Sequence, residues 1–319
     1  MPIHPVELLF EWETWKNRPR PRSECGTDLF ARWAVALGEL PLLARRAPRP
    51  EAGQELVLPP LTPALPSPPE LSIVLTTFAR PAATERLLAN LYLALERARL
   101  TERSALLVLH DACGRDYSRA LSAARGLAPR VLWLDARTHF GKAEFWKVHQ
   151  TALLVARAWQ PRLSLYLQDD VEFEPDLLLR ALEQWRATER DLLRRVLYLF
   201  SSSDDEHQGR WVHFQRRDAG LCRLTNWFDL QAFLVDRAFF ELLDYRMVPI
   251  HPNRWKRRAA QSSGVGRQFT RRLFGRAHIY QAWPPLVVHG AAPSTMNPEA
   301  RRQRTLDNRA DYVPSNSAA

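Results

Sequence analysis

Two aspartates, Asp169 and Asp170, stand side by side in LSLYLQDDVEFEPD (residues 163–176), directly behind a run of apolar and β-favouring residues. Adjacent carboxylates repel, and each disfavours ionisation of the other unless a positive group offsets them. A divalent cation is one such group, because Mg2+ and Mn2+ are commonly held by one or two carboxylates together with the phosphate oxygens of a substrate. The competing reading is local: the two acids open a turn and cap the helix that begins near Pro175.

Three further stretches carry residue types with chemical uses. Asp111 closes the β-rich run ALLVLHD (105–111), where it is either an ordinary loop acid or a ligand-facing one. HFGKAEFWK (139–147) sets Gly141 and Lys142 at a helix start, which allows close backbone approach to a diphosphate. A glycine turn with a solvated lysine explains the same letters. His289 ends the apolar run of PPLVVHG, a position where a histidine is more often structural than a ligand. Neither GxGxxG nor GxxxxGK[ST] occurs, which argues against a dinucleotide site or a P-loop.

The elements that must hold these residues follow from changes of hydrophobic period. LSIVLTTF (71–78) reads as a strand, and PAATERLLANLYLALERARL as a helix with Leu87, Leu88, Leu91, Tyr92 and Leu95 on one stripe and Pro81 at its start. Strand then helix recurs in ALLVLHD and YSRALSAARGL, in RVLWLD (130–135) and AEFWKVHQTALLVARAW, and in LSLYLQDD and PDLLLRALEQW, followed by RVLYLFSS (195–202). Four or five β-α units in series predict an α/β fold: an open, largely parallel sheet with helices on both faces. Beyond about residue 222 the pattern loosens into mixed strand directions, with Asp236 placed to cap the helix RAFFELLDY. In such a sheet, ligands sit outside the carboxyl ends of the strands, which is where Asp169 and Asp170 emerge.

Residues 47–69 are proline-rich and aperiodic, a linker between a small helical appendage (1–46) and the main domain (70–300). The main domain divides into residues 70–202 and 203–300, and the polar stretch 301–319 reads as a loose tail. The 319 residues carry a net charge of +10. Only four of the 45 basic residues are lysine, and the arginines are dispersed with no helix-turn-helix, zinc-finger or RNP signature, so nucleic acid is an unlikely partner. A basic surface also suits phosphorylated substrates, or peripheral contact with the inner membrane surface. No apolar run is long enough to span a bilayer and the N-terminus lacks the order of a secretion signal, so a cytoplasmic location is expected. Cys25, Cys113 and Cys222 match no metal or CxxC spacing.

LSIVLTTFARPAATERLLANL, LLVLHDACG, YLQDDVEFEPDLL and PPLVVHGAAPST, in this order and spacing over residues 70–297, resemble the nucleotide-sugar glycosyltransferases of GT-A fold, especially the inverting enzymes of family 2. The resemblance implies a GT-A-like, Rossmann-like mixed sheet. It implies that Thr76, Phe78 and Arg80 border a nucleotide and that Asp111 accepts a hydrogen bond from its base. Asp170 matches the last acid of the family's metal-binding motif, with Asp169 beside it touching metal or ribose and His289 delivered near the same Mn2+ or Mg2+. The first acid of that motif is Gln168 here, an amide able to bond a hydroxyl. Where family 2 places its catalytic acid pair, Ser262 and Ser263 stand, so the base moves elsewhere: Asp229 and the DDE at 204–206, Asp205 within it, are the candidates.

These readings converge on a metal-dependent hexosyltransferase, acting on a nucleotide-sugar donor, expected to be a UDP-sugar, and a saccharide or lipid-linked acceptor. Surface polysaccharide or lipopolysaccharide synthesis is the setting the resemblance implies. The rivals are a sugar-nucleotide pyrophosphorylase, which calls for a glycine-rich loop absent from TTFARPAAT, and a non-enzymatic basic protein binding nucleic acid.

Overall fold

The computed structural model describes residues 67–136, 139–200, 215–216, 222–225, 230–250, 263–273, 276–282 and 284–290. The appendage, most of the linker and the tail inferred from the sequence lie outside these residues, as do Asp205, Asp229 and Ser262.

Eleven strands and six α-helices follow in order among the described residues: β1 (Leu71–Thr77), α1 (Pro81–Ala98), β2 (Ser104–His110), α2 (Ser118–Arg125), β3 (Val131–Asp135), α3 (Gly141–Trp159), β4 (Leu163–Gln168), β5 (Val171–Phe173), α4 (Leu177–Ala187), β6 (Arg194–Tyr198), β7 (Gln215–Arg216), β8 (Cys222–Thr225), β9 (Ala232–Asp236), α5 (Arg237–Leu242), α6 (Val265–Leu273), β10 (His278–Ala282) and β11 (Val287–His289). Nine of the strands form one sheet in the order β3-β2-β1-β4-β9-β6-β10-β8-β7, and β5 pairs with β11 in a second, two-stranded sheet. The run β3-β2-β1-β4 is parallel, whereas β9 lies antiparallel to both β4 and β6. The expected mixed α/β sheet is therefore present, with its parallel part formed by the strand-helix repeats read from the sequence.

Right-handed crossovers dictate the layers. The chain moves from β1 to β2 to β3 in one direction, then α3 carries it back past β1 to β4. Helix α1 accordingly packs against α2 and α4 on one face, and α3 against α5 and α6 on the other. The reversal leaves a topological switch point between β1 and β4, the place where an open α/β sheet holds a ligand.

The helical stripe of α1 departs from expectation at one residue. Leu87, Leu88, Leu91 and Leu95 are buried, but Tyr92 is 42% exposed. At about 100° per residue it stands roughly 60° beyond the arc that Leu87, Leu91 and Leu95 define. Asp236 caps α5 as read, its Oδ1 accepting from the Phe239 N–H at 3.0 Å. Under α3, Tyr166 stacks on Phe233 within the sheet (4.6 Å between centroids), Phe233 meets Phe239 of α5 at 6.3 Å, and Phe239 meets Phe269 of α6 edge-on at 5.5 Å.

Candidate active site

A cleft of about 210 Å3 opens at the switch point. Thr76, Thr77, Phe78 and Arg80 line it from the end of β1, Asp111 from the end of β2, and Gln168, Asp169 and Asp170 from the end of β4; His139, Gly141, Lys142, Phe145 and Val148 close it from α3 and its approach. Nine of the residues named from sequence thus share one cavity: Thr76, Phe78, Arg80, Asp111, Gly141, Lys142, Gln168, Asp169 and Asp170. His289 joins them through a contact to Asp170.

The parallel register makes the acid pair. Thr76 stands opposite Gln168, so Thr77 and Asp169, one step further along, meet across the strand ends. Asp169 Oδ2 accepts from the Thr77 hydroxyl at 2.9 Å and from the Phe78 N–H at 2.8 Å, and its Oδ1 accepts from Arg80 at 3.1 Å. The same guanidinium nitrogen lies 3.2 Å from Asp170 Oδ2. Both carboxylates and the arginine side chain are more than nine-tenths buried. Burial and the neighbouring charge of Asp170 push the Asp169 carboxyl up to about 6, against the pull of Arg80, the Phe78 amide and Thr77. The positive group that the acid pair demands is therefore in part Arg80 itself. Both acids stand in the turn between β4 and β5, but neither caps α4, whose preceding residue is Asp176.

His289 reaches this corner through the small sheet. Strands β5 and β11 are antiparallel with His289 opposite Val171, and the Gly290 N–H donates to the carbonyl of Asp170 at 2.7 Å. That ladder sets His289 Nδ1 3.9 Å from Asp170 Oδ1, with both side chains 7% exposed. The ring of Phe200 packs edge-on against the imidazole at 4.7 Å. A Cβ at position 290 would stand 2.9 Å from Glu172 Oε1 and 3.4 Å from the Asp170 carbonyl, so glycine suits the close approach.

Asp111 is engaged by the start of α3. Its Oδ1 accepts from the Phe140 N–H at 2.7 Å and its Oδ2 from the Gly141 N–H at 3.3 Å, while His139 Nδ1 lies 2.9 Å from Oδ2. The Gly141 amide, at the helix start expected to approach a diphosphate, is thus already bonded to a carboxylate. Gly141 adopts φ +55°, the left-handed region open to glycine, and begins the helix with Lys142 beside the cleft.

Two contributors were not singled out from the sequence. His139 stacks on Phe78 with ring centroids 4.2 Å apart and nearly parallel planes, forming an aromatic wall. Thr77, which also bonds Thr84 at 2.7 Å and Tyr117 at 3.0 Å, is the clasp for Asp169. Both occupy stretches already marked, HFGKAEFWK and LSIVLTTF. No period or spacing separates them from their neighbours; only the cross-strand register and loop path do.

No protein-family model and no curated protein matches the chain. Among solved structures it is similar to a mannosyltransferase from Pyrobaculum calidifontis in complex with GDP-Man and Mn2+ (17% identity, TM-score 0.50, covering 77% of this chain and 64% of that one). It is also similar to residues 1–349 of S. aureus TarS (11% identity, TM-score 0.41, 67% of this chain and 60% of that one). A third is GalNAc-T7 with UDP, GalNAc and Mn2+ (11% identity, TM-score 0.47, 70% of this chain and 44% of that one). The chain thus spans less than two thirds of the length of each. The first likeness establishes the fold as GT-A-like.

Proposed function

We propose that the protein is a metal-assisted glycosyltransferase that moves a sugar from a nucleoside-diphosphate donor to a hydroxyl acceptor. The observation that carries this reading is the meeting of Asp170 and His289 at 3.9 Å, both buried, at the switch-point cleft of a GT-A-like sheet. That separation is too long for a hydrogen bond, and an imidazole nitrogen beside a carboxylate oxygen is a donor pair suited to Mn2+.

Among the described residues no group of three His, Cys, Asp or Glu side chains forms a metal cluster. Asp170 and His289 are the two protein donors that fit, leaving the phosphate oxygens of a donor substrate to complete the site, as is usual for cations of this class. When bound, the metal would supply Lewis-acid stabilisation of the departing diphosphate. The chain's own residues do the rest. Arg80 neutralises the acid pair and adds positive potential beside the diphosphate, Lys142 contributes a second charge, and the His139–Phe78 wall offers a flat apolar surface to a base or ribose. Asp111 keeps carboxylate lone pairs beyond those used by α3 and so can also accept from a base. Asp169 orients Arg80 and lines the ribose side.

Inverting transfer requires a carboxylate to take the acceptor proton, and Asp229 and Asp205, from sequence, are the candidates for it. A UDP-sugar donor, a saccharide or lipid-linked acceptor and surface-polysaccharide or lipopolysaccharide synthesis complete the proposal. Among the described residues no helix is long and apolar enough to cross a membrane. Peripheral attachment to the inner membrane surface fits the +10 charge.

The decisive experiment is a thermal-shift panel of UDP, GDP, CDP and dTDP with and without Mn2+, on the wild type and Asp170→Ala. Stabilisation that needs both nucleotide and metal, and is lost in the variant, supports the transferase. Full metal-dependent stabilisation in Asp170→Ala would overturn the assignment. Binding of nucleic acid that falls steeply with salt and ignores Mn2+ would favour the non-enzymatic rival.

A further inference from the structure

Beside the cleft, and outside it, the ends of β2 and β3 assemble a thiol, an imidazole and a carboxylate in a row. The parallel register sets His110 against Asp135. His110 Nδ1 lies 2.7 Å from Asp135 Oδ1, and His110 Nε2 lies 3.2 Å from Cys113 Sγ. Trp133 Nε1 donates to the same Asp135 oxygen at 3.0 Å, fixing the carboxylate from a second side. The Tyr117 ring, 4.2 Å from the imidazole, walls the other flank. Cys113 is a half-buried free thiol and the Asp135 side chain is 66% exposed, while His110 between them is 10% exposed, so solvent reaches the row at its two ends.

This order is that of a nucleophile, its base and the group that orients the base. A carboxylate only accepts hydrogen bonds, so Asp135 holds the proton of the imidazole on Nδ1. The lone pair on Nε2 then faces the thiol. A cysteine that packed merely as a small apolar residue would need no oriented imidazole beside its sulfur.

We propose that Cys113, with His110 as base and Asp135 as positioning residue, is a thiol–disulfide exchange site that takes low-molecular-weight disulfides such as glutathione disulfide. In the exchange, Cys113 Sγ attacks one sulfur of the disulfide. The new S–S bond forms as the old one breaks, the thiol proton passes to His110 Nε2, and the released thiolate takes that proton and leaves as one equivalent of free thiol. The site is coupled to the cleft by position. Asp111, two residues before Cys113, caps α3, and the hydroxyl of Tyr117 bonds both Thr77 and the Arg80 N–H, at 3.0 and 2.9 Å. A tripeptide attached at Cys113 would crowd Tyr117 and the β1 end that holds Asp169. The exchange itself does not rest on the glycosyltransferase reading.

The test uses the full chain carrying Cys25→Ser and Cys222→Ser, reacted with glutathione disulfide near neutral pH and followed by intact mass. Expected is a single mixed disulfide, formed at least about tenfold more slowly in His110→Gln, in keeping with the loss of a positioned base. Asp135→Asn, a change at an exposed side chain, is expected to slow it by a smaller factor while leaving the circular dichroism spectrum unchanged. If His110→Gln fails to fold, the rate in Asp135→Asn decides. Absence of a mixed disulfide in the parent, or rates within twofold of the parent in every folded variant, would overturn the proposal.

Discussion

Asp170 Oδ1 and His289 Nδ1 face one another at 3.9 Å because a three-residue antiparallel ladder, β5 with β11, fixes the chain on either side of them. The two side chains come from distant parts of the sequence and share one small volume. Groups that bind one ion as a unit respond non-additively to mutation. His289→Ala is expected to remove most of the Mn2+-dependent gain in melting temperature seen with nucleotide, and Asp170→Ala nearly all of it. The double variant should lose little more than Asp170→Ala alone. Titration calorimetry of Mn2+ into the nucleotide-loaded chain checks this, and additive losses would mean that the two side chains do not share an ion.

Arg80 is the cation that allows both aspartates to remain buried in the folded chain. Its guanidinium nitrogen contacts both carboxylates at 3.1 and 3.2 Å, and all three side chains are largely out of water. Removing one partner from a buried ion pair leaves uncompensated charge and typically costs about 3–5 kcal/mol. Arg80→Gln should therefore lower the unfolding free energy obtained from urea titration at neutral pH by an amount in that range. Arg80→Gln in combination with Asp169→Asn should recover part of the loss. A near-neutral single variant would show that the acids are balanced by something else.

Asp111 is a capping residue as well as a cleft residue, and the two roles separate experimentally. Its carboxylate takes the Phe140 and Gly141 amides at 2.7 and 3.3 Å. Loss of such a cap costs about 0.5–2 kcal/mol. Asp111→Ala is expected to show that loss without nucleotide, by denaturant unfolding. A contact to the base would add a further drop in nucleotide affinity in Asp111→Asn, which keeps one acceptor oxygen for the helix. A loss of stability with unchanged affinity would assign Asp111 to the cap alone.

The parallel half of the sheet was legible in the sequence because each of β1 to β4 is a short apolar run followed by a helix-period segment. Such alternation predicts a parallel sheet with right-handed crossovers, and with it the emergence of Asp169 and Asp170 at the carboxyl ends of the strands; the strand order, and so the switch point between β1 and β4, came from the structure. Strands β5 and β10 were not foreseen. VEF is only three residues, and HIYQA lies in a region where the period is already irregular. Arg80 was read as a nucleotide contact, whereas its buried partners are two acids about ninety positions away, a relation set by the β1–β4 register. The Cys113–His110–Asp135 row was invisible for the same reason: HDAC is an unremarkable turn until β3 is laid beside β2. Local pattern revealed elements and the ligand-facing rim; contacts between rims required the register.

His149 gives the fold a defined response to acid. It sits on α3 at 1% exposure, between Phe145, Tyr166 and Phe269. Neither ring nitrogen has a hydrogen-bond partner, nor does the Tyr166 hydroxyl. Burial pushes the imidazole down to about 3 from 6.5, so the ring is neutral when folded and takes a proton near pH 6.5 when unfolded. Its contribution is therefore fully present above about pH 6.5 and lost as pH falls from there toward 3, at ~1.4 kcal/mol per unit. His149→Phe keeps a ring in the same aromatic cluster and removes both unpartnered nitrogens. At neutral pH the variant is expected to gain about 1–3 kcal/mol, the desolvation cost of such groups. Its advantage over the wild type should widen steadily as urea unfolding is repeated at pH values from about 7 down to about 4. A difference between the two proteins that stays constant over that range would show that the histidine is protonated, or solvated, inside the native fold.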